Sequence, residues 1–237
     1  MPRTELRVVN MNISFTIGGG YLASLFARLL SRHIVPTTLE IAHKPDWCIA
    51  SLSNHVMEFT IPSHLGVIQT QPTTLSISLT GDAPAYHLGA ITLRARIEPL
   101  YGFFGLIRFM QGTIDEATLS FYPAYQPLLF LTLPQGNTIE TPPLTTVDLP
   151  VIIKNVGNGR SVIFTDLDNP DHWPILFPSL FTLDVNQSLQ IMVHITAPTN
   201  FTGDYVFILN FTPHFAYDLS QTGETITAGI LAYYHPS

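Results

Sequence analysis

Residues 149–211 read LPVIIKNVGNGRSVIFTDLDNPDHWPILFPSLFTLDVNQSLQIMVHITAPTNFTGDYVFILNF. Apolar and polar residues alternate through Val151-Ile152-Ile153-Lys154-Asn155, through Leu189 to Ile195, and through Tyr205 to Leu209. That period of two belongs to half-buried strands. Asn155, Gly157, Asn158 and Gly159, then Pro198, Asn200 and Gly203, stand between these runs and supply the positive or fixed φ of tight reversals. The stretch predicts an antiparallel sandwich.

A second copy lies upstream. Residues 74–89 and 188–203 align without a gap, 114 residues apart, and match at Leu75/Leu189, Ile77/Ile191, Ala83/Ala197, Pro84/Pro198 and Gly89/Gly203. The chain's two tryptophans precede the two copies, in Pro45-Asp46-Trp47 and Pro170-Asp171-His172-Trp173. Thr37 to Ile41 is read as the counterpart of Ser161 to Thr165. A spacing of about one small domain predicts tandem modules, whereas solenoid repeats recur every 20 to 50 residues or so. The fold expected is all-β: two tandem Ig-like antiparallel β-sandwiches with a short N-terminal helical or apolar segment.

The motifs Pro150-Val-Ile-Ile-Lys-Asn-Val-Gly-Asn-Gly159, Trp173, Asn186-Gln187-Ser188, and Ala197-Pro198 with Gly203-Asp204-Tyr205 resemble the Ig-like modules of the NEW3 (NPCBM-associated) type. Such modules recur in archaeal and bacterial surface proteins and beside glycoside hydrolase domains. The resemblance spans residues 145–235 and, less closely, 40–125. It implies a spacer, stalk or adhesion module and brings no catalytic residues with it.

Four segments are expected. Residues 1–34 form an N-terminal apolar segment, and 35–122 a first sandwich that is incomplete unless Leu6 to Ile17 supplies its opening strand. Residues 123–146 form a connection and 147–237 a second sandwich. The run Ile13 to Ala27 follows Arg3 and Arg7, as in a secretory signal or anchor. The helical spacing of Tyr21, Leu22, Leu25, Phe26, Leu29 and Leu30 argues instead for a short amphipathic helix with Arg28 and Arg32 towards water. Six prolines from Pro123 to Pro150 mark the connection, since proline ends ladders. Within it Leu128 to Leu133 reads as one strand, apolar on both faces and therefore buried.

Charged residues make up 11% of the chain, under half the usual share, which points to an exported or cell-surface protein kept soluble by Ser, Thr, Asn and glycans. Ten basic residues against 17 acidic ones give −7 and no basic stripe, so nucleic acid is not an expected partner. A membrane is expected only through an N-terminal anchor or a neighbouring segment; the partners expected are other domains, surface proteins and glycans. The lone Cys48 beside Trp47 reads as a small buried residue.

Candidate sites are few. Of four Asn-x-Ser/Thr sequons, Asn186 and Asn200 fall in turns where an exported protein would be glycosylated, and Asn12 and Asn210 are the others. Tyr101, Phe103, Phe104, Tyr122 and Tyr125 are the rings that a carbohydrate-binding face would use, if they stand flat to solvent. Asp166, Asp168 and Asp171 supply calcium-type oxygens but lack a calcium loop's glycine; they read as a capped turn. There is no HExxH, no His pair at ligand spacing, and no nucleophile with base and orienting acid. The expectation is a non-catalytic spacer or adhesion chain without cofactor or metal, part of a larger envelope protein. The alternative is a carbohydrate-binding accessory module of a glycan-active enzyme.

Overall fold

The computed structural model describes residues 5–102 and 107–235. The protein is all-β apart from one nine-residue helix, and it divides into two compact units, Met1–Pro123 and Ala124–Ser237. No helix among the described residues is long and apolar enough to cross a membrane.

Unit one comprises β1 (Arg7–Phe15), α1 (Tyr21–Leu29), β2 (Ile34–His43), β3 (Cys48–Leu52), β4 (Val56–Thr60), β5 (Gln69–Leu79), β6 (Gly89–Ile97), β7 (Leu100–Gly102), β8 (Ile107–Met110) and β9 (Thr113–Phe121). One sheet has the order β1-β5-β3, a second the order β4-β2-β6-β9, and β7 pairs with β8 apart from both. Leu75, Ile77 and Leu79 on β5 meet Leu39, Ile91 and Leu93 of the other sheet in one apolar core, with Cys48 and Leu52 between them. The period-two pattern puts one row of each strand into that core, which makes the unit a two-sheet sandwich.

Unit two comprises β10 (Leu129–Thr132), β11 (Thr138–Glu140), β12 (Thr146–Asn155), β13 (Ser161–Asp168), β14 (Ile175–Leu176), β15 (Leu180–Leu183), β16 (Ser188–Thr196), β17 (Gly203–Phe215), β18 (Asp218–Thr222) and β19 (Ile226–Tyr234). Its sheets run β10-β12-β16-β14 and β11-β19-β17-β13-β15, with β18 added to β17. Val151, Ile153, Ile191, Val193, Phe207, Leu209 and Ile230 fill the core between them.

The two pairing orders are the same once the additions are set aside. β1-β5-β3 corresponds to β12-β16-β14, and β4-β2-β6-β9 to β15-β13-β17-β19. In each unit the strand after the tryptophan crosses to the other sheet, and the next strand crosses back. Register corrects one pairing read from sequence. Thr37 pairs with Ile97, whose counterpart 114 residues on is Phe211, and Phe211 pairs with Thr165. Thr37 therefore matches Thr165 and not Ser161. Both threonines are buried with no hydrogen-bond partner for Oγ1, so the units share this feature too.

Four further expectations change. Residues 1–34 are not a separate segment, because β1 lies along β5 from Arg7 opposite Ile77 to Phe15 opposite Gln69. The helix forms at the expected place but buries Ala27 and packs Leu30, leaving Tyr21, Leu25 and Leu29 exposed. Ala27 and Leu30 face the sandwich, and Tyr21, Leu25 and Leu29 face away. Residues 123–146 are not a connection, since β10 and β11 are strands of unit two's sheets. In β10 only one face is buried: Leu129 enters the core while Phe130 points out, as an edge strand of a one-side-covered sheet requires.

Prolines respect this pairing. Pro36, Pro72, Pro150 and Pro213 each sit inside a strand, at a position where that strand is laddered to one neighbour strand and not two. A residue without an N–H is tolerated there and not between two partners.

Candidate functional site

The turn after β12 holds a buried polar cluster. Asn155 is fully buried; its Nδ2 donates to Gly159 O (2.9 Å) and Leu183 O (3.1 Å), and its Oδ1 accepts from Gly157 N (3.0 Å). Its main chain is tied on both sides, donating to Gln187 O and accepting from Asn186 N. Asn158 Nδ2 donates to Ala124 O (2.8 Å) while Oδ1 accepts from Gln126 N (2.7 Å). Buried Ser161 shares a hydrogen bond of 2.8 Å with the Tyr125 hydroxyl. A Cβ on Gly157 would stand 2.8 Å from Gln126 O and 2.9 Å from Leu128 N, which is why no larger residue serves there. These groups satisfy one another, as buried polar groups must, and the cluster acts as a clasp.

Tyr125 therefore leaves the expected carbohydrate-binding set. Its ring is buried against Phe215, 4.7 Å between centroids, and burial raises its phenol pKa against the opposing hydrogen bond with Ser161. Tyr101 and Tyr122 are exposed, 53% and 55%. Phe103 and Phe104 lie outside the described residues.

The turn with the three aspartates is organised by its asparagine. Asn169 Oδ1 accepts from Trp173 N (3.0 Å) and from the Tyr205 hydroxyl (2.6 Å), and its Nδ2 donates to Trp173 O (2.9 Å). The Trp173 ring is buried, stacked on Tyr205 at 4.4 Å and edge-on to Phe201 at 4.5 Å. Burial, and then the nearby carboxylates of Asp171 and Asp168, hold the Tyr205 phenol above its ordinary pKa, while an N–H from Asp171 opposes them. Asp166, Asp168 and Asp171 are all exposed. Among the described residues no three His, Cys, Asp or Glu side chains converge as metal ligands would.

Asn186 and Asn200 are exposed, Asn186 with a left-handed φ of 64°, while Asn210 is half-buried in β17. Cys48 is buried; desolvation raises its thiol pKa, opposed by Lys44, whose Nζ donates to Cys48 O. His194 pairs with Asp148 (2.6 Å) and His235 with Asp204 (3.0 Å) on exposed surface.

One concave feature escapes the motifs. In unit one a groove of about 530 Å³ opens between the edge strands β1 and β9, floored by Met11, Ile13, Leu39, Leu93, Ala95 and Ile97. A smaller hollow of about 290 Å³ adjoins it under α1 and shares Phe15, Thr16, Ile97 and Thr113. The signal was in the repeat: carried past Gly89, the 114-residue spacing sets Ala95 against Leu209 and Ile97 against Phe211. Small residues on one side of a duplication mark missing filling.

No protein-family model matches the sequence, and no curated protein matches it. Among solved structures the chain is similar to the PapD-like domain 7 of human CEP192, at 11% identity and TM-score 0.39, over 46% of this chain and 86% of that one. It is also similar to a protein of unknown function from Porphyromonas gingivalis W83 (9%, TM-score 0.34, 99% and 94%) and to CBD12 from CALX1.2 (11%, TM-score 0.31, 94% and 92%). With every one of these TM-scores below 0.5, the fold rests on the strand pairing itself.

Proposed function

We propose that the chain is a non-catalytic spacer and interaction segment of a cell-surface or secreted protein, built as two tandem Ig-like sandwiches of the NEW3 type. The observation that carries this reading is the repeated pairing order, β1-β5-β3 with β4-β2-β6-β9 and its copy in unit two. Duplicating a sandwich lengthens a protein and multiplies its outer surface without adding chemistry. The residues with chemical potential are used by the fold: Asn155, Asn158 and Ser161 in the clasp, Asn169 and Tyr205 under Trp173. Asn186 and Asn200 stand exposed where glycans would be added.

Antibody labelling of intact source cells tests the location. Labelling without permeabilisation, or recovery of the protein from the medium, is expected; labelling only after permeabilisation contradicts it. Pulling the purified chain end to end tests the spacer role. Two unfolding steps of roughly 35 to 40 nm each are expected from units of this length, and a single step contradicts it. The carbohydrate-binding reading keeps Tyr101 and Tyr122, which are exposed, along with Phe103 and Phe104; saturable glycan binding abolished by Tyr122→Ala would favour it.

A further inference from the structure

In unit two the seam between the sheets, along β12 and β19, is closed by the chain that precedes it. β10 lies antiparallel to β12 with Leu129 opposite Asn155 and Leu131 opposite Ile153, and β11 lies parallel to β19. Leu129 and Ile139 enter the core, and Leu131 and Leu133 pack against it. In unit one the corresponding strands, β1 and β9, have one neighbour each among the described residues, β5 and β6. No counterpart of β10 or β11 is present among the described residues.

The side chains differ in the same sense. By register, Ala95 and Ile97 stand where unit two has Leu209 and Phe211, and Asp115 and Ala117 where it has Ala228 and Ile230. Ala228 and Ile230 are buried, 4% and 0% exposed, whereas Asp115 and Ala117 are exposed. The row of β9 that should face the core thus faces the groove. An uncovered strand edge beside an apolar trough is a template for one more strand.

We propose that this groove is the docking site for an extended segment of a partner polypeptide, which pairs with the free edge of β1 and seats alternate large aliphatic side chains between the sheets. Unit two shows the chemistry of the occupant, because Leu129 and Leu131 lie beside the residues that match Met11 and Val9. Charge adds a second requirement. The charged residues lining the groove are Asp115 and Glu116, and Glu116 already accepts from Arg94 Nε at 2.7 Å. The segment therefore carries a Lys or Arg that reaches Asp115, beside an aliphatic-x-aliphatic core. Main-chain ladder bonds give the affinity and the trough gives the selectivity. The inference builds on the reading of the chain as an interaction segment and specifies its partner.

The test uses the whole chain and a fluorescein-labelled peptide, Lys-Leu-Leu-Phe-Leu-Thr-Leu-Lys, titrated by anisotropy. Saturable binding is expected, weakened at least tenfold by Ala117→Phe, which fills the trough, and about threefold to tenfold by Asp115→Asn. Hydrogen exchange with peptide bound is expected to show new protection in residues 7–15 and 113–121. A second filling variant, Ala95→Leu, restores the repeat's own residue and is expected to fold and to weaken binding if Ala117→Phe does not fold. Absence of binding, binding indifferent to both filling variants, or protection confined to residues 129–155 would overturn the proposal. So would self-association of the chain that protects β1 without peptide. A failed titration leaves the cell-labelling and pulling results untouched, so the two readings fail separately.

Discussion

Asn155 ties distant parts of unit two together, because one side chain closes the turn, holds Leu183 O and lies beside Ser161. Truncation removes the side-chain partner of Gly157 N and Leu183 O and leaves Gly159 O with Ser161 Oγ. Asn155→Ala should therefore destabilise unit two by about 2–4 kcal/mol, read as a shift of its denaturant midpoint; a loss under about 0.5 kcal/mol would place the network outside the folding energetics. Three acids are held neutral in the folded state: Cys48, Tyr125 and Tyr205, each raised chiefly by burial. Their folded pKa values lie above the unfolded ones, so the unfolded state loses protons first as pH rises. Stability is full below the ordinary thiol and phenol range, about 8.5 to 10, and falls as pH climbs through and above it. Chemical denaturation from pH 7 to 11 should show a flat region and then a decline. A rise in stability across that alkaline range would contradict the burial of these groups. At this scale the sequence was half legible. Asn155, Gly157 and Asn158 announce a reversal, but their partners Tyr125, Leu183 and Gln187 are distant in the chain, and a short-range pattern holds no information about them. Tyr125 was misread for that reason: a ring before an edge strand looks the same in sequence whether it enters the core or leaves it.

Between units, the elements differ most in what is added to a shared frame. Unit two adds β10 and β11 and closes its seam; unit one adds α1 and the β7-β8 ribbon and leaves its seam open. The value of β10 is measured by its anchor. Leu129→Ala removes a buried leucine at an edge and should cost about 2–4 kcal/mol, with exchange accelerated first at Val156, whose N–H donates to Leu128 O, and at the alternate β12 amides that face β10, Lys154 and Ile152. Unchanged protection there would mean that β10 is not held by its side chains. The repeat was readable because five identical residues fall 114 apart without a gap. The register of β2 against β13 was not, since ten residues separate Thr37 from Trp47 but eight separate Thr165 from Trp173. Counting back from the tryptophans therefore slips. β1 lies inside Leu6 to Ile17, the segment read as able to supply the opening strand; an apolar run after basic residues also reads as a signal or helix, and its partner β5 shows it to be a strand. The helix was located by its spacing, but periodicity cannot tell which stripe faces the protein.

Taken as a molecule, the chain is one strand-pairing plan used twice, with a self-filled seam in the second use and an accessible one in the first. The plan explains where function was legible and where it was not. Turn residues and alternation encode a sandwich, and they encode it whether or not anything binds; the groove appears only when one copy is held against the other. The most direct measurement is a set of cross-strand proton contacts by NMR on the full chain. Contacts of Val9 with Leu75 and of Ile153 with Leu189, together with Thr37 with Ile97 and Thr165 with Phe211, are expected at equal strength, because these are matched positions of the two units. Finding the Ile153 and Thr165 contacts while Val9 and Thr37 pair elsewhere, or not at all, would show that unit one is not a copy of unit two.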